Sequence, residues 1–127
     1  MIIRPIEPSD APEWATLRQD LWPDEPGVHA AEIASFFAGT LAEPQAVLVA
    51  QDGSTLIAFA EVSIRTDLQD LAGKKVGYVE GLYVVPPYRA RGLARQLLQA
   101  SKSWARESGC EAFASDRAER VIVDPHF

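Results

Sequence analysis

The sequence predicts an α/β (α+β) fold with a mixed central sheet and flanking helices. Short stretches rich in β-branched and aromatic residues alternate with longer stretches whose apolar residues recur at helical spacing. The stretch from Val79 to Arg95 changes from strand to helix pattern at Pro86 and Pro87, which can neither extend a ladder nor donate backbone hydrogen bonds. At 127 residues the chain suits one domain, residues 1–127, with one core.

The composition narrows the class of protein. The formal net charge of −6 disfavours nucleic acid and favours cationic partners. We find no apolar run long enough to span a membrane and no signal peptide, so we expect a cytoplasmic protein with no membrane partner. The single cysteine, Cys110, and the widely separated His29 and His126 predict neither a disulfide nor a metal site.

The first two elements are a strand from Met1 to Ile6 and a helix after it. Asp10 can cap this helix, Pro12 fits its first turn, and Glu13 stands where a capping box places an acid. One face of the helix should pack on the sheet, because apolar residues recur along it at helical spacing. These residues are Trp14, Leu17 and Leu21.

A proline-rich loop and a second helix come next. The loop combines Trp22 with Asp24 and Glu25, which is equally typical of a buried tryptophan beside two solvated acids and of a binding loop. A second amphipathic helix is expected from Val28 to Leu41. Two helices would then precede the rest of the sheet.

The next two strands form a hairpin. Ala46 to Gln51 and Thr55 to Arg65 have the strand pattern, and Asp52-Gly53 between them predicts a tight turn. The pleat places alternate residues of the second strand on one face, namely Phe59, Glu61, Ser63 and Arg65. The Glu61 carboxylate therefore lies on a largely apolar strand.

A fourth strand is expected from Val76 to Val85, and it also carries an acid. Strict alternation would place Tyr78, Glu80, Leu82 and Val84 on one face. Burying the Glu80 carboxylate would cost several kcal/mol unless it were paired. Two interpretations stay open, namely a functional carboxylate and a structural salt bridge to an arginine such as Arg65.

The turn after this strand leads into a third helix, from Gly92 to Ser108. The first amides of a helix lack intrahelical partners and carry partial positive charge, so such a turn can bind a phosphate group. Gly92 allows close approach of the backbone, and Arg89, Arg91 and Arg95 add positive charge. The alternative is an ordinary strand-to-helix turn with a solvated basic rim.

The third helix should end at Gly109, which is placed as a C-cap. A short, mostly apolar fifth strand is expected from Cys110 to Ser115.

The turn also carries a family resemblance. Arg89-x-x-Gly92-x-Ala94, after a strand ending at Pro86, is similar to the acetyl-CoA signature Q/R-x-x-G-x-G/A of the GNAT acetyltransferases. The resemblance implies acetyl-CoA as cosubstrate and no metal. Turn amides would hold the CoA pyrophosphate, and the splayed strand would pair with the pantetheine arm. The implied cofactor residues are Leu82, Tyr83, Val84, Arg89, Ala90, Arg91, Gly92, Leu93, Ala94 and Arg95.

From Met1 to Asp116 the chain resembles one branch of that family, the aminoglycoside 6'-N-acetyltransferases. The shared segments are Leu21-Trp22-Pro23-Asp24, Ala60-Glu61-Val62-Ser63, Val79-Glu80-Gly81-Leu82-Tyr83-Val84, Trp104-Ala105-Arg106-Glu107, Gly109-Cys110 and Phe113-Ala114-Ser115-Asp116. The resemblance implies acetylation of the 6'-amino group of aminoglycoside antibiotics.

The residues suit this chemistry. An ammonium substrate must lose a proton before it can accept an acetyl group, and Glu80 is the expected base. By resemblance, the Val84 amide would polarise the thioester oxygen. Acidic residues and a tryptophan would bind a polycationic acceptor, although each acid alone could simply serve solubility. The expected acceptor-binding residues are Trp22, Asp24, Glu25, Glu61, Glu80 and Asp116.

The resemblance fails after the fifth strand. The chain continues for 11 residues beyond Asp116, so we expect a GNAT fold that lacks the usual fourth helix, with Arg117 to Val123 as its last strand. We expect a homodimer in which Glu119 to Val123 pairs with a partner subunit. Two alternatives stay open, namely a transferase acting on polyamine or protein amines and a truncated CoA-binding dimer without catalysis.

Overall fold

The computed structural model describes residues 1–117 and 120–127 as one mixed sheet with three α-helices. The strands are β1 (Ile2–Pro5), β2 (Ala46–Asp52), β3 (Thr55–Arg65), β4 (Val76–Val84), β5 (Ala112–Arg117) and β6 (Arg120–Val123). The helices are α1 (Ala11–Leu21), α2 (Val28–Ala38) and α3 (Leu93–Glu107). The strands lie in sequence order, and only the β4–β5 pair among them is parallel. The predicted fold class is confirmed.

The helices cover the two faces of the sheet. On one face, α1 and α2 bury Trp14, Leu17 and Ile33 against β2 and β3. On the other face, α3 buries Leu93 and Leu97 against the same strands. This arrangement follows from the helical spacing of apolar residues. One face of β4 is thus turned toward α1 and α2, and the other toward α3.

The start of α1 differs from the prediction. Asp10 does not cap the helix through its side chain, because its carboxylate accepts two hydrogen bonds from Arg4, at 2.8 and 2.9 Å, and one from the Glu7 amide. The Glu13 carboxylate accepts the Leu56 amide of β3 at 3.0 Å. The acids expected to form a capping box instead tie the first helix to the sheet.

A bulge interrupts β4. In the β3–β4 register, Glu61 lies opposite Gly81, whereas the next residue, Val62, lies opposite Val79. Glu80 is therefore the extra residue on β4, and a bulge of this kind shifts the side-chain alternation by one position.

The bulge makes the expected alternation along β4 wrong. Tyr78 and Glu80 lie on the face of α1 and α2, where both contact the Arg65 side chain. Beyond the bulge, Leu82 and Val84 pack with the α3 residues on the opposite face. A single strand thus presents its carboxylate on one face and its last apolar side chains on the other.

At the far edge of the sheet, β6 pairs antiparallel with β5 of the same chain. The last strand follows the fifth almost directly, as predicted, but it begins at Arg120, and Arg117, which was expected to open it, belongs to β5. Of the segment expected to pair with a partner subunit, Glu119 lies outside the described residues, and Arg120–Val123 pair within the chain. Every helix in the described ranges is too short or too polar to cross a membrane.

Candidate functional site

A cleft opens where β4 and β5 separate. The two strands pair from Val76 to Val79, whereas β4 continues to Val84 alongside β3. The Val85 amide donates to the Ile57 carbonyl of β3 at 2.9 Å. Because successive backbone amides of a strand point to opposite edges, the Val84 amide points away from β3 and toward the cleft.

This cleft has a volume of about 500 Å³ and is lined mainly by apolar side chains. Most of the predicted cofactor residues line it, namely Leu82, Tyr83, Val84, Arg89, Ala90, Gly92, Leu93 and Ala94. The other two, Arg91 and Arg95, are exposed beside it, and the Arg91 guanidinium lies 4.9 Å from the centre of the Tyr88 ring.

The turn at the mouth of the cleft is held in an unusual backbone conformation. Gly92, the N-cap of α3, has φ 82°, and Ala90 has φ 63°. Arg89 donates from Nε to the Val84 carbonyl at 2.8 Å, which ties the turn to the end of β4. The first amides of α3 thus begin at the cleft, as a phosphate-binding turn requires.

A second cavity lies on the other face of β4. It has a volume of about 320 Å³ and is lined largely by charged residues, namely Arg18, Trp22, Asp24, His29, Glu32, Glu43, Pro44, Glu61 and Glu80. We call it the acidic pocket. It brings together most of the acceptor residues predicted from the sequence.

Two predicted acceptor residues lie elsewhere. Glu25 is exposed and lines a separate surface depression between α1 and α2. Asp116 is exposed on β5. Burial raises the pKa of the Tyr78 phenol, and the nearby charge of Asp116 raises it further.

The acidic pocket also contains residues that sequence reasoning missed. His29, Glu32 and Glu43 line it, as does Arg18. His29 and Glu32 are three residues apart on α2 and therefore share a helical face, which was the available signal.

Glu80 is paired and still reaches the acidic pocket. Its carboxylate accepts two hydrogen bonds from Arg65, at 2.8 and 2.9 Å, and Arg65 also contacts Glu43 at 3.1 Å. The salt bridge considered from the sequence is thus present. Burial nevertheless raises the pKa of Glu80, with the Arg65 charge opposing it. The result is an oriented carboxylate with an increased affinity for a proton.

Glu61 is more deeply buried than expected for an acceptor contact, with 1% of its surface exposed. One carboxylate oxygen accepts hydrogen bonds from Arg18 at 2.7 Å and from the Trp14 indole at 3.1 Å. The other accepts from Arg18 at 3.3 Å. Its main role in the structure is therefore to hold Arg18 at the base of the acidic pocket.

Trp22 forms the wall of the acidic pocket beside β4. Its ring lies directly over Gly81, where any Cβ atom would overlap it. The Arg18 guanidinium lies 5.3 Å from the centre of the same ring. Leu21, the preceding residue, lines the cleft instead. The end of α1 thus separates the two cavities, and Gly81 allows the tryptophan to approach the sheet.

Comparison with known proteins gives consistent results. A family model described as the acetyltransferase (GNAT) family matches residues 13–122. An aminoglycoside N(6')-acetyltransferase type 1 from Klebsiella aerogenes is 44% identical over 118 residues, which cover 91% of this chain and 77% of that protein. A protein of the same name from Stenotrophomonas maltophilia is 39% identical over 124 residues, covering 94% and 77%.

Solved structures resemble the fold as well. The apo aminoglycoside 6'-N-acetyltransferase AAC(6')-IG from Acinetobacter haemolyticus aligns with TM-score 0.82 and 33% identity, covering 93% of this chain and 80% of that one. AAC(6')-Iy in complex with the bisubstrate analogue CoA-S-monomethyl-acetylneamine aligns with TM-score 0.81 and 32% identity, covering 92% and 79%.

Proposed function

The chain belongs to the GNAT family of acetyltransferases, and we propose that it transfers the acetyl group of acetyl-CoA to the 6'-amino group of aminoglycosides. The observation that carries this proposal is the placement of two cavities about β4. An apolar cleft with a helix N-terminus lies at one side, and an acidic pocket containing Glu80 lies at the other. An anionic donor and a polycationic acceptor would thus meet at one strand.

The cleft has the features that acetyl-CoA requires. We assign the α3 amides after Gly92 to the pyrophosphate, with Arg89, Arg91 and Arg95 as the surrounding positive charge. The unpaired edge of β4 suits the pantetheine arm. When bound, acetyl-CoA supplies an activated acetyl thioester. We assign the Val84 amide to stabilise the negative charge that develops on the thioester oxygen.

The acidic pocket suits an acceptor with several ammonium groups. Glu32 and Glu61 share Arg18, and Glu43 and Glu80 share Arg65, so these four carboxylates outnumber their arginines, and the exposed Asp24 adds a further negative charge. Carboxylates in a cleft attract polycations and orient them. The Trp22 ring offers an apolar surface for a sugar and a π face for an ammonium group.

We assign Glu80 as the general base. The ammonium group of the acceptor must lose a proton before its nitrogen can form the new bond to the acetyl carbon, and Glu80 accepts that proton directly or through water. The nitrogen then gives up a second proton, the carbon–sulfur bond breaks, and CoA leaves as a thiolate that takes up a proton from the solvent. Arg65 keeps the carboxylate oriented throughout.

The test is release of free CoA thiol from acetyl-CoA, measured with a 6'-amino aminoglycoside and with its 6'-hydroxyl counterpart. We expect release with the 6'-amino compound and near-background release with the 6'-hydroxyl one. Spermidine and lysine peptides test the alternative acceptors. Faster release with either would assign the pocket to polyamine or protein amines, and no release despite CoA binding would support the non-catalytic interpretation.

Replacing Gly92 with valine should weaken CoA binding about tenfold, because the turn would leave its left-handed conformation and restoring it for CoA would cost roughly 1–2 kcal/mol. The side chain would also stand where a phosphate approaches. Isothermal titration with CoA measures the effect. The control is Gly109→Val, at φ 83° beyond the other end of α3. It carries the same strain and should keep its CoA affinity, and equal loss in both variants would contradict the assignment of the turn.

Replacing Gly81 with alanine should raise the KM for the aminoglycoside and leave the KM for acetyl-CoA nearly unchanged. The added methyl group displaces the Trp22 ring, and overpacking of this kind typically costs about 1–3 kcal/mol. Gly77→Ala is the matched control, because it crowds Ala105 of α3 from the same strand. We expect Gly77→Ala to lower stability without a selective change in acceptor KM. A selective rise in the aminoglycoside KM in both variants would argue against Trp22 as the wall of the acidic pocket.

The homodimer stays a proposal. The edge strand β6 exposes Val121, Ile122 and Val123 at 50%, 43% and 39%. An exposed apolar edge of this kind is a template for pairing with a second chain. Light scattering over a wide concentration range should give the mass of a dimer, and the mass of a monomer throughout would exclude it. The predicted cytoplasmic location also stays a prediction.

A further inference from the structure

We propose that His29 is a positioning residue that holds the Trp22 wall of the acidic pocket through its Nε2–H tautomer. The inference rests on the proposed function. It concerns a residue that has no assigned part in the acetyl transfer itself or in binding of acetyl-CoA. His29 is buried, at 7% exposed, and its ring bridges the end of α1 and the start of α2.

The direction of each hydrogen bond around His29 is fixed by its partners. Its Nδ1 lies 3.2 Å from Nη1 of Arg18, which can only donate, so Nδ1 must accept. Its Nε2 lies 2.7 Å from the carbonyl oxygen of Trp22, which can only accept, so Nε2 must carry the proton. The ring is therefore neutral in this arrangement, with one defined tautomer.

Arg18 is fixed in turn by acids on two other elements. It donates to Glu61 of β3 and, at 2.9 Å, to Glu32 of α2. A continuous chain of hydrogen bonds thus leads from the sheet through Arg18 and His29 to the Trp22 backbone. Buried polar networks of this kind are rigid when every member is satisfied. The hydrogen-bond network therefore fixes the position of the Trp22 loop.

The position of this hydrogen-bond network determines which substrate it affects. Trp22 lines the acidic pocket, whereas the cleft is formed by β4, the turn and the start of α3, together with Leu21 at the end of α1. Loss of the hydrogen bond to the Trp22 carbonyl frees the wall against which the acceptor binds. We therefore expect a change in acceptor binding, with acetyl-CoA binding preserved.

Two amide variants separate the halves of the bridge. In His29→Gln, the side-chain amide nitrogen can stand where Nε2–H stands and donate to Trp22. In His29→Asn, the amide oxygen can stand where Nδ1 stands and accept from Arg18, but the donor to Trp22 is lost. The two variants are otherwise matched in polarity, and thermal melting checks that both fold.

We expect the KM for the aminoglycoside to rise about tenfold in His29→Asn and His29→Leu, in line with loss of a buried hydrogen bond, and to rise much less in His29→Gln. The KM for acetyl-CoA should stay within about twofold of the parent in all three, because the hydrogen bonds of His29 go to Arg18 and Trp22, which line the acidic pocket. Equal acceptor KM in Asn and Gln variants, or equal rises for both substrates, would overturn the proposal.

The tautomer is tested directly by long-range ¹H–¹⁵N NMR of the parent. The sequence contains two histidines, so His126→Gln assigns the signals. We expect an unprotonated Nδ1 and a protonated Nε2 at His29, and the reverse tautomer or a charged ring would overturn the proposal. A parent without aminoglycoside-dependent thiol release would refute the proposed function, while this spectrum would still decide the state of His29.

Discussion

Replacing Glu80 with glutamine should lower kcat by about 10²–10⁴-fold, the range typical for removal of a general base. The amide keeps the shape of the side chain but cannot accept the proton of an ammonium group. CoA affinity should stay close to that of the parent, because Glu80 lies on the face of β4 opposite the Leu82 and Val84 side chains. Steady-state kinetics with CoA titration measures both quantities.

Glu43→Gln is the matched control for this substitution. Glu43 also lines the acidic pocket and also bonds Arg65, but it is 46% exposed at the side chain and lies away from β4. Its loss should raise the acceptor KM with kcat close to that of the parent. A similar fall of kcat in both variants would show that charge around Arg65, rather than a base at Glu80, explains the effect.

The pH profile of the parent provides a second measure. Glu80 acts as a base only when it is ionised, so kcat/KM should fall as pH drops through the pKa of this carboxyl. Burial raises that pKa above its ordinary value. The acidic limb should therefore stand at higher pH than for an ordinary glutamate, and it should be absent from Glu80→Gln.

Replacing Arg18 with methionine should lower the free energy of unfolding by about 3–5 kcal/mol, the range for removing one partner of a buried ion pair. The side chains of Arg18 and Glu61 are 7% and 2% exposed, so the remaining carboxylate has little access to water. Urea unfolding followed by circular dichroism measures the loss. Adding Glu61→Gln should recover most of it, because the amide oxygen can still accept from the Trp14 indole.

The loss in Arg18→Met should depend on pH. Burial raises the pKa of Glu61, and without Arg18 the folded-state pKa rises further above its unfolded value. The folded state then binds the proton more tightly, so the destabilisation is greatest at high pH and shrinks as pH falls through the folded pKa. A loss independent of pH in the single variant would show that Glu61 is not left as a buried charge.

Elements whose apolar residues recur without interruption could be predicted from the sequence. Thr55 to Arg65 matches β3 at both ends, and its predicted polar face is the observed one, because nothing breaks its alternation. The strand-turn-helix around Gly92 was predicted for the same reason, since proline and glycine mark where one period ends and the other begins.

The rest depended on events that a single sequence does not display. The bulge at Glu80 reverses the alternation of β4, and its only mark at that position is Gly81, because a glycine inside a strand is typical both of a bulge and of close approach by another group. The buried network of Arg18, Glu61 and His29 joins three elements, and their approach is decided by packing between helices and sheet. The sequence therefore did not indicate that the Glu61 oxygens accept hydrogen bonds from Arg18 and Trp14, and its contact with the acceptor stays a prediction.

The bulge in β4 also has a consequence for diversification. It directs Glu80 toward α1 and α2 and directs the Leu82 and Val84 side chains toward α3. The two substrates would therefore be bound by largely separate parts of the chain. Substitutions in the loop after α1 and along α2 can change which amine is accepted while the acetyl-donor half stays intact. A mutant library restricted to residues 22–44 would therefore explore new acceptors at little risk to the common donor.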